Sequence, residues 1–167
     1  MKKIFYPLLV IVIASFVRLL PHPPNFSPIA AMALFSGVYL SKKYALIIPV
    51  IAIFVSDIFL GFHSTIPFVY GSFLITGLIG LWLKKHHDFK SVVAGTLLSS
   101  VLFFVITNFG VWLVGNLYQK NITGLVQSYV MAIPFFRNSL IGDLFFTGIF
   151  FGSYQAIFSK KFNQAIE

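Results

Sequence analysis

Long apolar segments dominate this sequence, and they constrain its fold more than any other feature. Six of them approach the roughly 20 apolar residues that a helix needs to cross a bilayer. They comprise residues 4–20, 28–41, 44–62, 66–83, 91–114 and 138–158. Backbone groups in lipid are satisfied only within helices or closed barrels, and no segment alternates like a barrel strand. We therefore predict an all-α, polytopic membrane protein with six transmembrane helices, forming a single domain over residues 1–167.

Two apolar stretches are too short to be ordinary spans. Residues 28–41 fall below the usual length, so we expect this helix to be tilted or to be reached through a re-entrant loop. Residues 124–136 are also apolar, but the stretch stops at Pro134. We predict that they form an outer re-entrant or surface helix that caps the bundle.

The charge distribution indicates how the chain is oriented. Only 10% of the residues are charged and 58% are hydrophobic, whereas soluble domains carry about 25% charged residues. The net charge of +8 comes mostly from short basic pairs between apolar runs, and not from one patch that could hold nucleic acid. Basic residues mark cytoplasmic loops, so both termini are expected in the cytoplasm. This places nine lysines inside (Lys2, Lys3, Lys42, Lys43, Lys84, Lys85, Lys90, Lys160 and Lys161) and leaves Arg18, Lys120 and Arg137 outside.

Four charged side chains lie within or at the mouths of the apolar segments: Arg18, Asp57, Arg137 and Asp143. A charge at the centre of a membrane helix costs about 2.5–3.5 kcal/mol on insertion scales, so each needs a reason. In the predicted topology all four lie towards the outer side. Polar and aromatic residues accompany them, which predicts a substrate-binding cup open to the outside. These are His22, Asn25, His63, Tyr70, Asn108, Trp112 and Asn138.

A structural role for the same charges stays open, because two arginines and two aspartates can pair across helices and fix the packing without a ligand. A second open alternative concerns the small residues Ala30, Ala33 and Gly37, which share one face of the second helix. Such faces allow close packing of membrane helices. They serve either the inside of the bundle or the docking of a separate membrane partner.

The sequence offers no pattern of catalytic residues. It has no cysteine, which excludes thiolate nucleophiles and cysteine-based metal sites. His22 and His63 belong to no helical metal-binding motif, and no phosphate-binding loop occurs. Ser64 beside His63, together with Asp57, does not have the spacing of a nucleophile elbow. We expect no enzymatic activity, no metal and no cofactor.

Several stretches carry a family resemblance: "PHPPNFSPIAAMALFSG", "SDIFLGFH", "VYGSF", "TNFGVWL" and "AIPFFRNSLIGDLFF". They resemble a bacterial family of uncharacterised six-helix membrane proteins that are regarded as transport proteins. The resemblance covers about residues 15 to 158. It implies a multi-pass protein of the bacterial inner membrane.

More distantly, the layout resembles the S-components of energy-coupling-factor vitamin transporters. That resemblance implies six helices, cytoplasmic termini and an outward cup under loops. It also implies a transmembrane coupling subunit, driven by ATPases, that docks on a small-residue helix face. Such a face usually lies on the first helix, whereas here the best candidate is on the second. Metal-specific members have a histidine after the first methionine, where this chain has Lys2.

The expected function is therefore uptake of a small, vitamin-like organic solute by a substrate-binding membrane subunit. The loop "PHPPN" and Arg18 would form the rim and lid of its cup. The alternative from another class is a six-helix scaffold in an envelope or cell-shape complex. A third hypothesis is an intramembrane enzyme that acts on lipid.

Overall fold

The computed structural model describes the backbone of residues 2–86 and 88–163, and the side chains of residues 5–86 and 88–158. Every regular element in these residues is an α-helix, which confirms the all-α prediction. Consecutive helices pack against one another along the chain, so their directions alternate through the bundle. The helices are α1 (Lys2–Leu19), α2 (Ile29–Tyr39), α3 (Lys42–Leu60), α4 (Ile66–Leu83), α5 (Phe89–Val114) and α6 (Ile122–Asn163).

Four of these helices, α3 to α6, are long and apolar enough to cross a membrane by length and composition. The apolar part of α1 and the whole of α2 are shorter. Large apolar side chains face outward, and Phe5, Phe16 and Phe59 are 67%, 65% and 74% exposed. A soluble protein rarely exposes such an extended apolar surface, whereas lipid covers it without cost. The long helices and this surface indicate a membrane protein.

The short helix α2 forms the centre of the bundle. Its residues from Ile29 to Val38 are all buried, and Phe35 is completely inaccessible. It packs against α1, α3, α4, α5 and α6. A helix of 11 residues is about 16 Å long, roughly half of a bilayer core. The chain must therefore enter the bundle before α2 begins.

The α1–α2 loop provides that entry. Phe26 in this loop packs against Phe145 and Phe146, well inside α6, with ring centroids 5.9 and 5.5 Å apart. Non-helical backbone at such depth is tolerated only where protein or a cavity surrounds it. Four prolines reduce the number of backbone N–H groups that need a hydrogen-bond partner there, because proline has no N–H group. They are Pro21, Pro23, Pro24 and Pro28.

A close approach of α2 and α4 fixes the middle of the bundle. A Cβ atom added at Gly37 would lie 2.6 Å from the carbonyl oxygen of Gly77 and from the Cα atom of Gly80. Ala30 and Ala33 on the same helix are 7% and 1% exposed. The small-residue face that was a candidate for docking a partner is therefore buried inside the monomer. The docking hypothesis for this face is wrong, because α4 and the neighbouring helices already occupy it.

One hydrogen bond joins α2 to α3 and compensates for a proline. Pro49 lies inside α3 and has no N–H to donate to the carbonyl of Ala45, one turn earlier. The hydroxyl of Ser36 donates to that carbonyl oxygen instead, at 2.7 Å. Ser36 is fully buried, so this bond satisfies a carbonyl that water cannot reach.

The last helix differs from the prediction. Residues 122 to 163 form one continuous helix of 42 residues, with Pro134 inside it. The expected break between a cap over 124–136 and a span over 138–158 is absent. A proline removes one helical hydrogen bond, and membrane helices tolerate it because neighbouring groups compensate. At about 63 Å this helix is roughly twice as long as a bilayer core is thick.

The two ends of the bundle differ in charge and shape. We call the end with loops 20–28, 61–65 and 115–121 the cavity end. At the opposite end Asp88 caps α5, and hydrogen bonds from the side chain and backbone of Ser91 lower the pKa of its carboxyl group. This opposite end is the lysine end, and it carries Lys42, Lys43, Lys84, Lys85 and Lys90. The other four lysines placed inside, Lys2, Lys3, Lys160 and Lys161, have side chains outside the described residues.

Candidate functional site

A cavity of about 820 Å³ lies at the cavity end of the bundle. Its walls come from the end of α1, the α1–α2 loop, the first half of α4, the second half of α5 and the first half of α6. The lining is predominantly apolar and aromatic, with a few polar groups.

The wall from α6 is a single helical face. Its members recur at intervals of three or four residues, which places them one above the other along the helix. Two serines flank two apolar residues there, and the row ends in a carboxylate. The row consists of Ser128, Ala132, Phe135, Ser139 and Asp143.

The wall from α5 combines aromatic and hydroxyl groups. Phe103, Phe104, Thr107 and Asn108 line the cavity. The Thr107 hydroxyl donates to the Phe103 carbonyl at 2.7 Å, and the Asn108 amide nitrogen donates to the Phe104 carbonyl at 2.7 Å. Both bonds are local, so the hydroxyl lone pairs of Thr107 and the amide oxygen of Asn108 stay available as acceptors.

The α1–α2 loop forms the third wall with His22, Asn25 and Ser27. Asn25 has a φ angle of 63°, a left-handed conformation that asparagine adopts more readily than most residues. His22 is held by the carbonyl oxygens of Pro23 at 2.9 Å and Arg18 at 3.2 Å. The Ser27 hydroxyl is buried and has no hydrogen-bond partner among the described residues, an uncommon state for a buried polar atom.

Arg18 also lines the cavity, but its charge is already balanced. Its guanidinium forms an ion pair with Asp57 at 2.6 Å and donates to Ser56 Oγ and, at 3.2 Å, to the Ile53 carbonyl. The Tyr70 hydroxyl donates to the other carboxylate oxygen of Asp57 at 2.5 Å. These contacts connect α1, α3 and α4. We call this set, Arg18 with Asp57 and Tyr70, the charge brace.

Asp143 is in a different situation. Its side chain is buried, with 5% exposure, and Oδ2 accepts a hydrogen bond from the Ser100 hydroxyl at 2.6 Å. The described residues give it no ion-pair partner and no second hydrogen bond. Arg137, six residues earlier, lies on another face of α6 and is exposed. Asp143 is therefore a carboxyl group at the cavity wall to which the described residues offer no counter-charge.

The structure brings six of the eleven predicted substrate-binding residues to the cavity, and the other five lie elsewhere. Asp57 and Tyr70 belong to the charge brace behind Arg18. The Trp112 indole donates to the Gln119 carbonyl at 2.9 Å, and the Asn138 amide nitrogen donates to the Pro24 carbonyl at 3.0 Å. Arg137 is exposed on the outside of α6. The six lining residues are Arg18, His22, Asn25, His63, Asn108 and Asp143.

Other lining residues had a signal in the sequence that the predicted helix break concealed. Ser128 and Ala132 share the spacing of one helical face with Asp143 only if the helix continues through Pro134, whereas Ser139 shares it within the predicted span 138–158. The phenylalanines of the wall had no such signal. Phe103, Phe104 and Phe136 look in the sequence like residues that face lipid.

Neither a metal centre nor a hydrolytic triad is assembled among the described residues. They contain no group of three or more His, Asp or Glu side chains that could hold a metal ion. His63 Nδ1 lies 2.7 Å from the Thr65 hydroxyl, whereas Asp57 is engaged by Arg18 and Tyr70.

Comparisons with known proteins give a family. The model of a family of unknown function, DUF6580, matches residues 1–165, so the chain belongs to that family. No curated protein and no solved structure matches the chain.

Proposed function

We propose that this member of the DUF6580 family binds a small organic solute in its cavity and serves as the substrate-binding subunit of a membrane transporter. The observation that carries the proposal is the cavity itself. Its volume of about 820 Å³ falls in the range of small-molecule sites, roughly 300–1,000 Å³. Aromatic walls with a few separate polar groups are the usual lining of such sites.

The orientation follows from the charges at the two ends. We propose six membrane segments, both termini in the cytoplasm and the cavity open to the outside of the bacterial inner membrane. The lysine end supports this arrangement, because lysine is enriched on the cytoplasmic side. Only Arg18, Lys120 and Arg137 carry positive charge near the cavity end. The α1–α2 loop then forms part of the rim that a solute meets on entry.

Binding in this proposal involves no chemical step on the solute. The chain has no phosphate-binding loop, so any ATP hydrolysis would take place on a partner. A transmembrane coupling subunit with ATPases would fit the S-component resemblance. It would have to dock on a surface other than Ala30, Ala33 and Gly37, since those residues are buried. The solute would be vitamin-sized, given the cavity volume.

The scaffold alternative has one observation in its favour. In the charge brace Arg18 and Asp57 form an ion pair, an arrangement that the scaffold hypothesis expects of all four charges. This arrangement does not extend to Asp143, for which the described residues provide no charged partner, or to the cavity, which a scaffold does not need.

Native mass spectrometry of the protein released from nanodiscs tests the proposal. We expect a co-purified small molecule on the wild type, and its loss from Ala132→Phe, which places a ring into the cavity from the α6 wall. Ile133→Phe is the matched control. Ile133 is the next residue along α6, and its side chain is 57% exposed and points away from the cavity. Absence of any small molecule on the wild type, or equal retention by all three proteins, would contradict a solute-binding cavity.

A further inference from the structure

The charges on the cavity wall restrict what the cavity can bind. Only two of the lining residues carry a full charge, Arg18 and Asp143. Asp57 neutralises Arg18 at 2.6 Å and is itself only 2% exposed, so this pair contributes almost no net charge to the cavity. Asp143 is thus the carboxyl group of the lining for which the described residues provide no cation.

A buried carboxylate is stable only when it is paired or well hydrogen-bonded. Within the described part of the chain Asp143 has one hydrogen bond, from Ser100 to Oδ2, and its second oxygen accepts none. The nearest cation along α6, Arg137, is six residues away and therefore on a different face of the helix. A cationic ligand in the cavity would supply the partner that Asp143 lacks among the described residues.

The hydroxyl group of Ser27 is a second observation, independent of Asp143, that points to a ligand. This hydroxyl is buried without a hydrogen-bond partner among the described residues and lines the same cavity. A Cβ atom added at Gly142, the neighbour of Asp143, would lie 3.3 Å from the Ser27 nitrogen, so the loop and this turn of α6 are in contact. An ammonium group has three N–H donors and no acceptor. A free carboxylate oxygen and an unpartnered hydroxyl are acceptors of the kind that it needs.

The aromatic walls agree with a cationic ligand. Phe103 and Phe104 from α5, and Phe135 and Phe136 from α6, line the cavity. The faces of aromatic rings attract cations, and the effect increases when water is excluded. The same rings bury the apolar part of an organic molecule. An inorganic cation would be stabilised little by aromatic rings, and it would need more oxygen ligands than this wall offers.

We propose that the cavity selects small organic amines in their ammonium form, with Asp143 as the counter-charge and Ser27 as a further acceptor. This inference rests on the proposed solute-binding function and names its substrate class. It predicts that an amine binds, whereas a carboxylic acid of the same shape is repelled by the carboxylate.

Three probes of nearly equal size test the class: 3-phenylpropylamine, 3-phenylpropionate and 3-phenylpropanol. Each is added at millimolar concentration to the protein in phosphatidylcholine nanodiscs, and the melting temperature is followed. A ligand that binds only the folded state raises that temperature in a concentration-dependent way. We expect a rise with the amine and none with the acid or the alcohol.

Asp143→Asn keeps the shape of the side chain and removes its charge. We expect it to weaken binding of the amine by about 30-fold or more, because a buried charge pair loses one partner. Asp88→Asn is the control, since this carboxylate caps α5 at the lysine end and does not line the cavity. It is expected to leave the rise with amine in place.

The outcomes separate the substrate class from the function. Stabilisation by the acid alone, or by all three probes equally, would overturn the amine class and keep a solute-binding cavity. Amine stabilisation that persists in Asp143→Asn would overturn the role of Asp143. No stabilisation by any probe would contradict both the class and the cavity function.

The ammonium group of a phospholipid headgroup has the same chemistry as a free amine. Nanodiscs that contain phosphatidylethanolamine distinguish the two sources. If free amines are the ligands, the rise with 3-phenylpropylamine is unchanged in these nanodiscs. If the rise disappears there and returns in phosphatidylcholine alone, the headgroup occupies the cavity, and the amine class stands with a lipid as its source.

Discussion

Gly80→Ala is expected to lower the free energy of unfolding by about 3 kcal/mol, the upper end of the usual cost of overpacking. The added Cβ atom would lie 2.3 Å from the Leu34 carbonyl oxygen and 2.9 Å from the Gly37 Cα atom. Both are backbone atoms of the central helix α2, so no side chain can rotate to make room. The two helices would have to separate, and α2 contacts every other helix of the bundle. Unfolding in mixed micelles with increasing dodecyl sulfate measures the effect.

Gly148→Ala is the matched control for this prediction. A Cβ atom at Gly148 meets no other atom within 4 Å, and the residue is also inside a helix. Alanine at this position should leave the free energy of unfolding unchanged or raise it by up to about 1 kcal/mol, because alanine has a better helix propensity than glycine. If both variants behave alike, α2 and α4 do not approach as closely as the structure has them.

Arg18→Met is expected to cost about 3–5 kcal/mol, the range for removing one partner of a buried ion pair. It leaves Asp57 charged at 2% exposure, with only Tyr70 as a donor. Asp57→Leu should cost less, because Arg18 is 14% exposed and lies in the last turn of α1, where a cation meets the negative end of the helix dipole. The same micelle titration measures both variants.

The double variant Arg18→Met with Asp57→Leu separates a structural pair from two independent residues. Without either charge the site needs no counter-ion, so the double variant should recover most of the loss caused by Arg18→Met alone. Additive losses in the double variant would mean that the two side chains do not act on each other. The charge brace would then have to be abandoned.

The sequence predicted where the helices lie because long apolar runs have few alternatives in lipid. The fourth helix was predicted at 66–83 and lies at Ile66–Leu83, and α5 begins only two residues before its predicted start. Arg18 and Asp57 were also identified as charges that need an explanation inside the bundle. Their direct pairing was open, since helix neighbours are not encoded in a single sequence.

The faces of the helices could not be predicted in the same way. In a membrane protein both the lipid-facing and the buried side of a helix are apolar, so hydrophobic periodicity is weak. Phe103 at the cavity wall and Phe59 on the outer surface are the same residue type in similar surroundings. For the same reason the small residues of α2 gave no indication of whether they faced a partner or the core. The location of Asp143 was easier to predict, because a charged residue within an apolar segment indicates a polar environment inside the protein.

Labelling of two single cysteines tests most directly whether the cavity is a water-filled site open to the outside. The chain has no cysteine of its own, so each variant reports alone. Thr107→Cys places the thiol in the cavity wall, where the native side chain is 9% exposed. Val105→Cys places it on the outer surface of the same helix, at 45% exposure, where we expect lipid. A membrane-impermeant methanethiosulfonate, added to intact cells, is expected to label residue 107 and not residue 105. Labelling of residue 105 with residue 107 protected would contradict this expectation.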